Sequence, residues 1–156
     1  MASESPIHSS VVVESKPSGL SEPCRRLLAL LEQRGFTQDD LFAVHLALEE
    51  AFLNAVKHGN KMDPSKTVKF EYCVDAEKVE VWMVDEGSGF NPQDIPDPRV
   101  GDNLYRPEGR GLLLMSAYMD VVEYSEQGNR VRMVRYKKRP ASDRPGAEGI
   151  ESKRVP

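Results

Sequence analysis

The chain has 156 residues, 39% hydrophobic and 29% charged, with a formal net charge of −4 at pH 7. That length fits one domain with a real core and not two, and the slight acidity gives no general drive toward nucleic acid or an anionic membrane. No apolar run approaches the roughly 18–20 residues of a membrane span. Cys24 and Cys73 lie far apart without metal-type spacing and read as small buried side chains. The N-terminus carries no secretory apolar stretch, so a reducing cytoplasm is the expected compartment.

Residues 1–8 read as a flexible tail, 9–138 as one domain and 139–156 as a polar, Pro- and Gly-bearing disordered tail. Lys137, Lys138 and Arg139 stand where the fold ends, and a solvated strand terminus accounts for them. Val11-Val12-Val13 within Ser10 to Glu14 suits an edge strand. Ser21 is placed as an N-cap with Pro23 in the first turn. Cys24, Leu27, Leu28 and Leu31 then fall at helical spacing, and Gly35 closes the helix. Thr37-Gln38-Asp39-Asp40 resembles a capping box opening a long helix, whose apolar stripe is Leu41, Val44, Leu48, Phe52 and Ala55. Gly59 or Asn60 is expected to supply its left-handed stop.

Two alternating strands follow. Val68, Phe70, Tyr72 and Val74 share one face of the first, and Val79, Val81 and Met83 one face of the second, joined by a hairpin turn at Asp75 to Lys78. Asn91 to Pro107 is Pro-, Asp- and Gly-rich without periodicity and reads as a long loop, functional by its length. A short helix is expected from Gly111 to about Tyr118, then strands near Met119–Tyr124 and Arg130–Tyr136.

Three segments carry the chemistry. Glu50 and Asn54 stand four residues apart, on one face of the long helix; a carboxylate beside a neutral oxygen ligand suits a hard cation and a polarised water or hydroxyl. Glu49 points away and is solvated. Asp85-Glu86-Gly87-Ser88-Gly89 follows the second strand. Period two puts Asp85 in phase with Val79, Val81 and Met83, toward the covered face, where an unpaired charge is expensive. It needs a partner, and an exocyclic amine with an ordered water would serve; a loop-capping role in a tight turn is the alternative. Gly87 and Gly89 allow a sharp turn and close approach to a flat ring. Gly109-Arg110-Gly111-Leu112 opens the third helix, where free backbone N–H groups form a phosphate cradle. Arg110 there has two readings, a phosphate contact or a solvent-facing side chain. No Lys-Ser/Thr pair follows, so this is not a Walker loop.

Acid–amide helix, Asp-x-Gly-x-Gly and Gly-x-Gly, in that order, resemble the N, G1 and G2 boxes of the GHKL (Bergerat-fold) ATPase superfamily. The short format is most similar to its anti-sigma-factor serine kinase branch, over about Leu20 to Lys138. The resemblance implies an α/β sandwich (α+β), with a single mostly antiparallel mixed sheet, helices on one face and ATP between helix and sheet. It implies that Asp85 takes the adenine amino group, Asn54 holds Mg²⁺, Glu50 is the general base, and Lys57 and His58 line the phosphate end. Residues 91–107 become the lid, with Arg106 a weaker phosphate candidate. The implied activity is Mg-ATP-dependent phosphorylation of a Ser or Thr on a small anti-sigma-antagonist protein, with a sigma factor as second partner and a homodimer as the working form. Two other readings stay open: a nucleotide-gated binding module with negligible transfer, and a detached histidine-kinase catalytic domain. No phospho-acceptor His domain precedes the site, which argues against a complete histidine kinase.

Overall fold

The computed structural model describes residues 5–87, 110–125 and 128–137, with the backbone alone for 110–113. Five strands form one sheet in the order β1-β2-β3-β5-β4: β1 Ile7–Glu14, β2 Thr67–Val74, β3 Lys78–Asp85, β4 Val121–Tyr124 and β5 Arg130–Tyr136. Every described pairing is antiparallel, so the expected mixed character is absent among the described residues. Three helices cover one face: α1 Ser21–Gln33, α2 Gln38–Asn54 and α3 Arg110–Tyr118. α2 is the middle one, packed against both others. Among the described residues no helix is long and apolar enough to cross a membrane.

Alternation along β2 and β3 does what period two requires. Val68, Phe70 and Val74 of β2 and Val79, Val81 and Met83 of β3 are buried, and their neighbours are not. They meet Leu27 and Leu31 of α1, Val44, Leu48 and Phe52 of α2, and Met115 and Met119 at the end of α3 in one core. Ala43, Ala47 and Ala51 are buried too. The covered side of α2 is therefore wider than its large-residue stripe, because α3 needs a close approach on a second flank.

Several boundaries differ from the sequence expectation. β1 starts at Ile7, inside the stretch read as a tail, and pairs along its whole length with β2. Ser21 is not a cap: a 3₁₀ turn over Pro17–Leu20 feeds straight into α1, and Leu20 already has helical dihedrals. Buried Leu20 pins that turn to the core, which leaves no extended residue for a capping hydroxyl. Met119 belongs to the end of α3 rather than to β4, donating its N–H to Met115 O at 2.9 Å.

The remaining helix ends follow their sequence signals. Gly35 (φ 84°) closes α1 in a Schellman arrangement, with Phe36 N–H donating to Leu31 O and Gly35 N–H to Glu32 O. Lys137 Nζ donates to the Arg34 carbonyl at 2.5 Å and sits 5.0 Å from the centre of the Phe36 ring. Lys137 is thus a cap on α1 and not simply a solvated strand end. Thr37 and Asp40 form the reciprocal capping box of α2, at 2.9 and 3.1 Å.

Asp40 has a second task. It is fully buried, and Arg135 of β5 donates to its Oδ1 at 2.9 Å while giving another N–H to Tyr118 O. One guanidinium ties the start of α2 and the end of α3 to the sheet. Removing one member of a buried pair strands the other charge. Arg135→Ala should therefore lower the unfolding free energy by about 3 kcal/mol, read as an earlier urea midpoint at unchanged slope. A shift below about 0.5 kcal/mol, typical of surface changes, would mean the pair is not structural.

Candidate functional site

β3 ends on Asp85, and α2 ends on Asn54, so the sheet and its middle helix deliver two polar residues to one place. A small cavity between them is lined by Ala51, Asn54, Ala55, Met83, Asp85 and Tyr124. Asp85 is 6% exposed. Its Oδ1 accepts the Gly87 N–H at 2.8 Å, and its own N–H donates to Asn129 O at 2.9 Å. Among the described residues it forms no ion pair. Burial pushes its carboxyl above the usual range, and the Gly87 N–H and the Lys66 charge only partly offset this. The chain holds two buried aspartates among the described residues. Asp40 has a guanidinium; Asp85 has a cavity.

The floor beneath Asp85 is Gly59. A Cβ there would overlap both carboxylate oxygens, and a Cβ on Gly87 would overlap the Gly59 carbonyl oxygen. Gly59 is therefore required for close approach and not as the left-handed helix stop expected from sequence. The chain leaves α2 through a π-helical turn, Ala55–Gly59. Asn60 follows with φ −87°, and the left-handed residues are Lys61 (φ 54°) and Met62 (φ 62°). Asn60 is held in that conformation by its partners. Fully buried, it donates to Ser15 Oγ at 3.0 Å and Thr67 O at 2.9 Å, and accepts the Glu86 N–H at 2.8 Å. That one amide joins the segment after α2 to the ends of β1, β2 and β3.

Asn54 donates its amide nitrogen to the Tyr124 hydroxyl at 3.4 Å. Glu50, one turn earlier on α2, is half-buried. Burial raises its carboxyl above the ordinary glutamate value, the Glu49 charge adds to this, and Lys57 opposes it. Glu49 lies on the outer side as expected, more than half exposed and 3.1 Å from His45. Lys57 and His58 fall in the π turn, Lys57 exposed and His58 half-buried. α3 begins at Arg110, so Arg110, Gly111 and Leu112 form its first turn. The contacts of Arg110, Gly111 and Leu112, with Gly89, Gly109, Arg106 and the lid 91–107, lie outside the described residues.

The structure thus brings Asp85, Gly87 and Asn54 together, keeps Glu50 one turn before Asn54 on α2, and adds Gly59, Asn60 and Tyr124, which the sequence reading did not assign to the site. A glycine after Lys-His at a helix end reads first as a stop, and Tyr124 carried no signal beyond strand alternation. Gly59→Ala should displace the Asp85 carboxylate and cost at least about tenfold in affinity for whatever ligand that carboxylate binds. Binding to purified Gly59→Ala is the check, and unaltered affinity would remove Gly59 from the site.

Residues 13–135 match the family described as the histidine kinase-like ATPase domain. The chain is 30% identical over 129 residues to the serine-protein kinase RsbW of Listeria monocytogenes, covering 78% of this chain and 82% of that protein. It is 31% identical over 127 residues to the RsbW of Bacillus licheniformis, covering 75% and 78%. Similarity to the anti-sigma F factor of Clostridium perfringens is 29% over 115 residues, covering 70% and 81%. A crystal structure of the RsbU and RsbW domains of a Mycobacterium tuberculosis protein superposes with a TM-score of 0.58 at 16% identity, over 88% of this chain and 34% of that one, and supports the fold alone. The chain belongs to the histidine kinase-like ATPase family, in the branch that holds the RsbW serine-protein kinases.

Proposed function

We propose that this protein is an ATP-dependent serine/threonine protein kinase whose acceptor is a small anti-sigma-antagonist protein, and that it also holds a sigma factor as a second partner. The observation that carries the nucleotide part is Asp85, a buried carboxylate that, among the described residues, accepts a backbone N–H from Gly87, forms no ion pair and lies on a glycine floor. Such a group is costly to the apo fold and suited to a ligand N–H donor; the adenine amino group supplies one. Gly87 lets the backbone lie close to the ring, with Gly89 proposed for the same role, and the start of α3 at Arg110, after Gly109, offers N–H groups to phosphates.

Mg²⁺ fits the donor set. The described residues contain no cluster of three His, Cys, Asp or Glu that could cage a metal. A cation here would take the one amide oxygen of Asn54 and complete its shell with phosphate oxygens and water, the coordination Mg²⁺ favours. When bound, it neutralises triphosphate charge. Glu50, on the same helix face, accepts the proton of the acceptor hydroxyl as the phosphate is transferred; Lys57 adds positive charge at the phosphate end, and His58 lies beside it in the π turn. The names of the RsbW and anti-sigma F relatives support the class of acceptor and the sigma partner. A homodimer is the proposed working form, and the cytoplasm its place.

Glu50→Gln, in full-length protein with labelled Mg-ATP and a small antagonist-type protein encoded beside this one, should retain ATP affinity and slow acid-stable labelling by about 10²-fold or more. Acid-labile label would point instead to transfer onto His. ATP binding without any label would point to a nucleotide-gated binding module.

The base must be ionised to act, and its carboxyl is raised by burial first and then by Glu49, against Lys57. Transfer should be complete above that raised value and be lost as pH falls through it, at a pH higher than an ordinary glutamate would give. Glu49→Gln should move this acid limb down and Lys57→Met should move it up. A limb unmoved by both substitutions would exclude Glu50 as the titrating base.

A further inference from the structure

β1 stands at the end of the sheet, with β2 on one side and no described strand on the other. Its eight residues, Ile7–Glu14, include no Pro, Gly or Lys and keep unbroken register with β2. Proline, lysine and bulges are what usually blunt a sheet edge. Val12 is 60% exposed and Val11 37%.

The ladder shows which backbone groups are left over. Ser15 N–H donates to Lys66 O at 3.2 Å, in the register that pairs Glu14 with Thr67. Antiparallel pairs alternate between bonded and non-bonded, so Ser9, Val11 and Val13 spend their backbone groups on β2. Those of His8, Ser10, Val12 and Glu14 point outward, away from the sheet. The Glu14 carbonyl turns back to accept the Lys16 N–H at 2.9 Å, which ends the free edge there. On the helix side of this edge, a groove of about 470 Å³ runs between β1 and the start of α1. Val11 and Val13 wall it on the strand, Pro23 and Arg26 on the helix.

We infer that the β1 edge is the homodimer surface, and that its occupant is β1 of a second copy, paired antiparallel about a two-fold axis at Val11. The inference rests on the homodimer proposed above and is independent of the acceptor and the metal. A two-fold axis normal to the sheet keeps the helices of both copies on one side, so residues of the same face meet. The outward backbone groups must also meet one another, which restricts bonded pairs to His8, Ser10, Val12 and Glu14. With Val11 opposite Val11 of the other copy, Ser10 faces Val12 and His8 faces Glu14. All four residues then have a partner, and an imidazole stands opposite a carboxylate. Moving the axis to Ser10 sets Glu14 against Pro6, which has no N–H. Moving it to Val12 sets His8 against Lys16, a second basic residue in place of the carboxylate. On the helix side, the two Val11 side chains meet at the axis and each Val13 faces Ser9 of the other copy, so apolar side chains enter the groove. Main-chain bonds of this kind give a strand-addition interface its affinity, and the side chains its register.

The test is sedimentation equilibrium of the full chain, with circular dichroism as the check on folding. Wild type should be dimeric at micromolar concentration. Val12→Pro removes an outward N–H that β2 does not use, and an edge strand tolerates proline there. It should weaken dimerisation at least about tenfold. Val11→Cys reads the register. Directly opposed non-bonded residues lie about 4.5 Å apart at Cα, within the span of a disulfide, so mild oxidation should link Val11→Cys into a covalent dimer. Val12→Cys, set opposite Ser10, should link no more than wild type does. If Val12→Pro fails to fold, the two cysteine variants decide alone. A monomeric wild type overturns the homodimer and this surface together. A dimer that a folded Val12→Pro leaves intact, or that links through Val12→Cys and not through Val11→Cys, keeps the homodimer and overturns the β1 assignment.

Discussion

The contact on which the site depends is the carboxylate of Asp85 lying directly on the backbone of Gly59. It joins the last residue of β3 to the turn that ends α2, and it exists because neither Gly59 nor Gly87 has a Cβ to hold the two segments apart. Everything polar at the site is arranged around that approach. The π turn after Asn54 brings Gly59 to the sheet, and Asn60 then locks the segment with three hydrogen bonds to three separate strand ends. A buried amide with all its partners made is stabilising, and losing it would strand several groups at once.

Two buried aspartates show how one residue type serves structure in one place and binding in another. Asp40 spends its lone pairs within the fold, on the Thr37 N–H and the Arg135 guanidinium. Asp85 is also buried but forms no ion pair among the described residues, and burial raises its carboxyl. The first arrangement holds α2 and α3 on the sheet. The second leaves the apo protein carrying an electrostatic cost that a ligand can relieve. Glu50 shares the pattern more weakly: half-buried, next to a like charge, and moderated by Lys57.

Much of this was legible in sequence wherever the signal is local. The capping box at Thr37 and Asp40, the glycine closure at Gly35, the Asp75 hairpin and the burial phase of Asp85 each depend on residues within a few positions, and each appears as expected. The order of the three boxes brought the family into view. What was missed depends on contacts between distant segments. Gly59 was read as a helix stop because nothing near it in sequence reveals the carboxylate that lands on it. Asn60 was given to the same stop, although its partners lie on other strands. Tyr124 contacts Asn54 across seventy positions, and strand alternation alone says nothing about such a pair. Ser21 failed as a cap for a related reason, since burial of Leu20 extended the helical turn upstream.

Asp85→Asn tests the central claim most directly, with ATP binding and urea unfolding measured on the same protein. The substitution removes a buried charge but keeps an acceptor for the Gly87 N–H. If Asp85 is held for a nucleotide, ATP affinity should collapse while the apo protein is as stable as wild type or more so, because the cost of the unpaired carboxylate is gone. Retained ATP affinity together with a loss of stability would contradict this, and would make Asp85 a turn-capping residue.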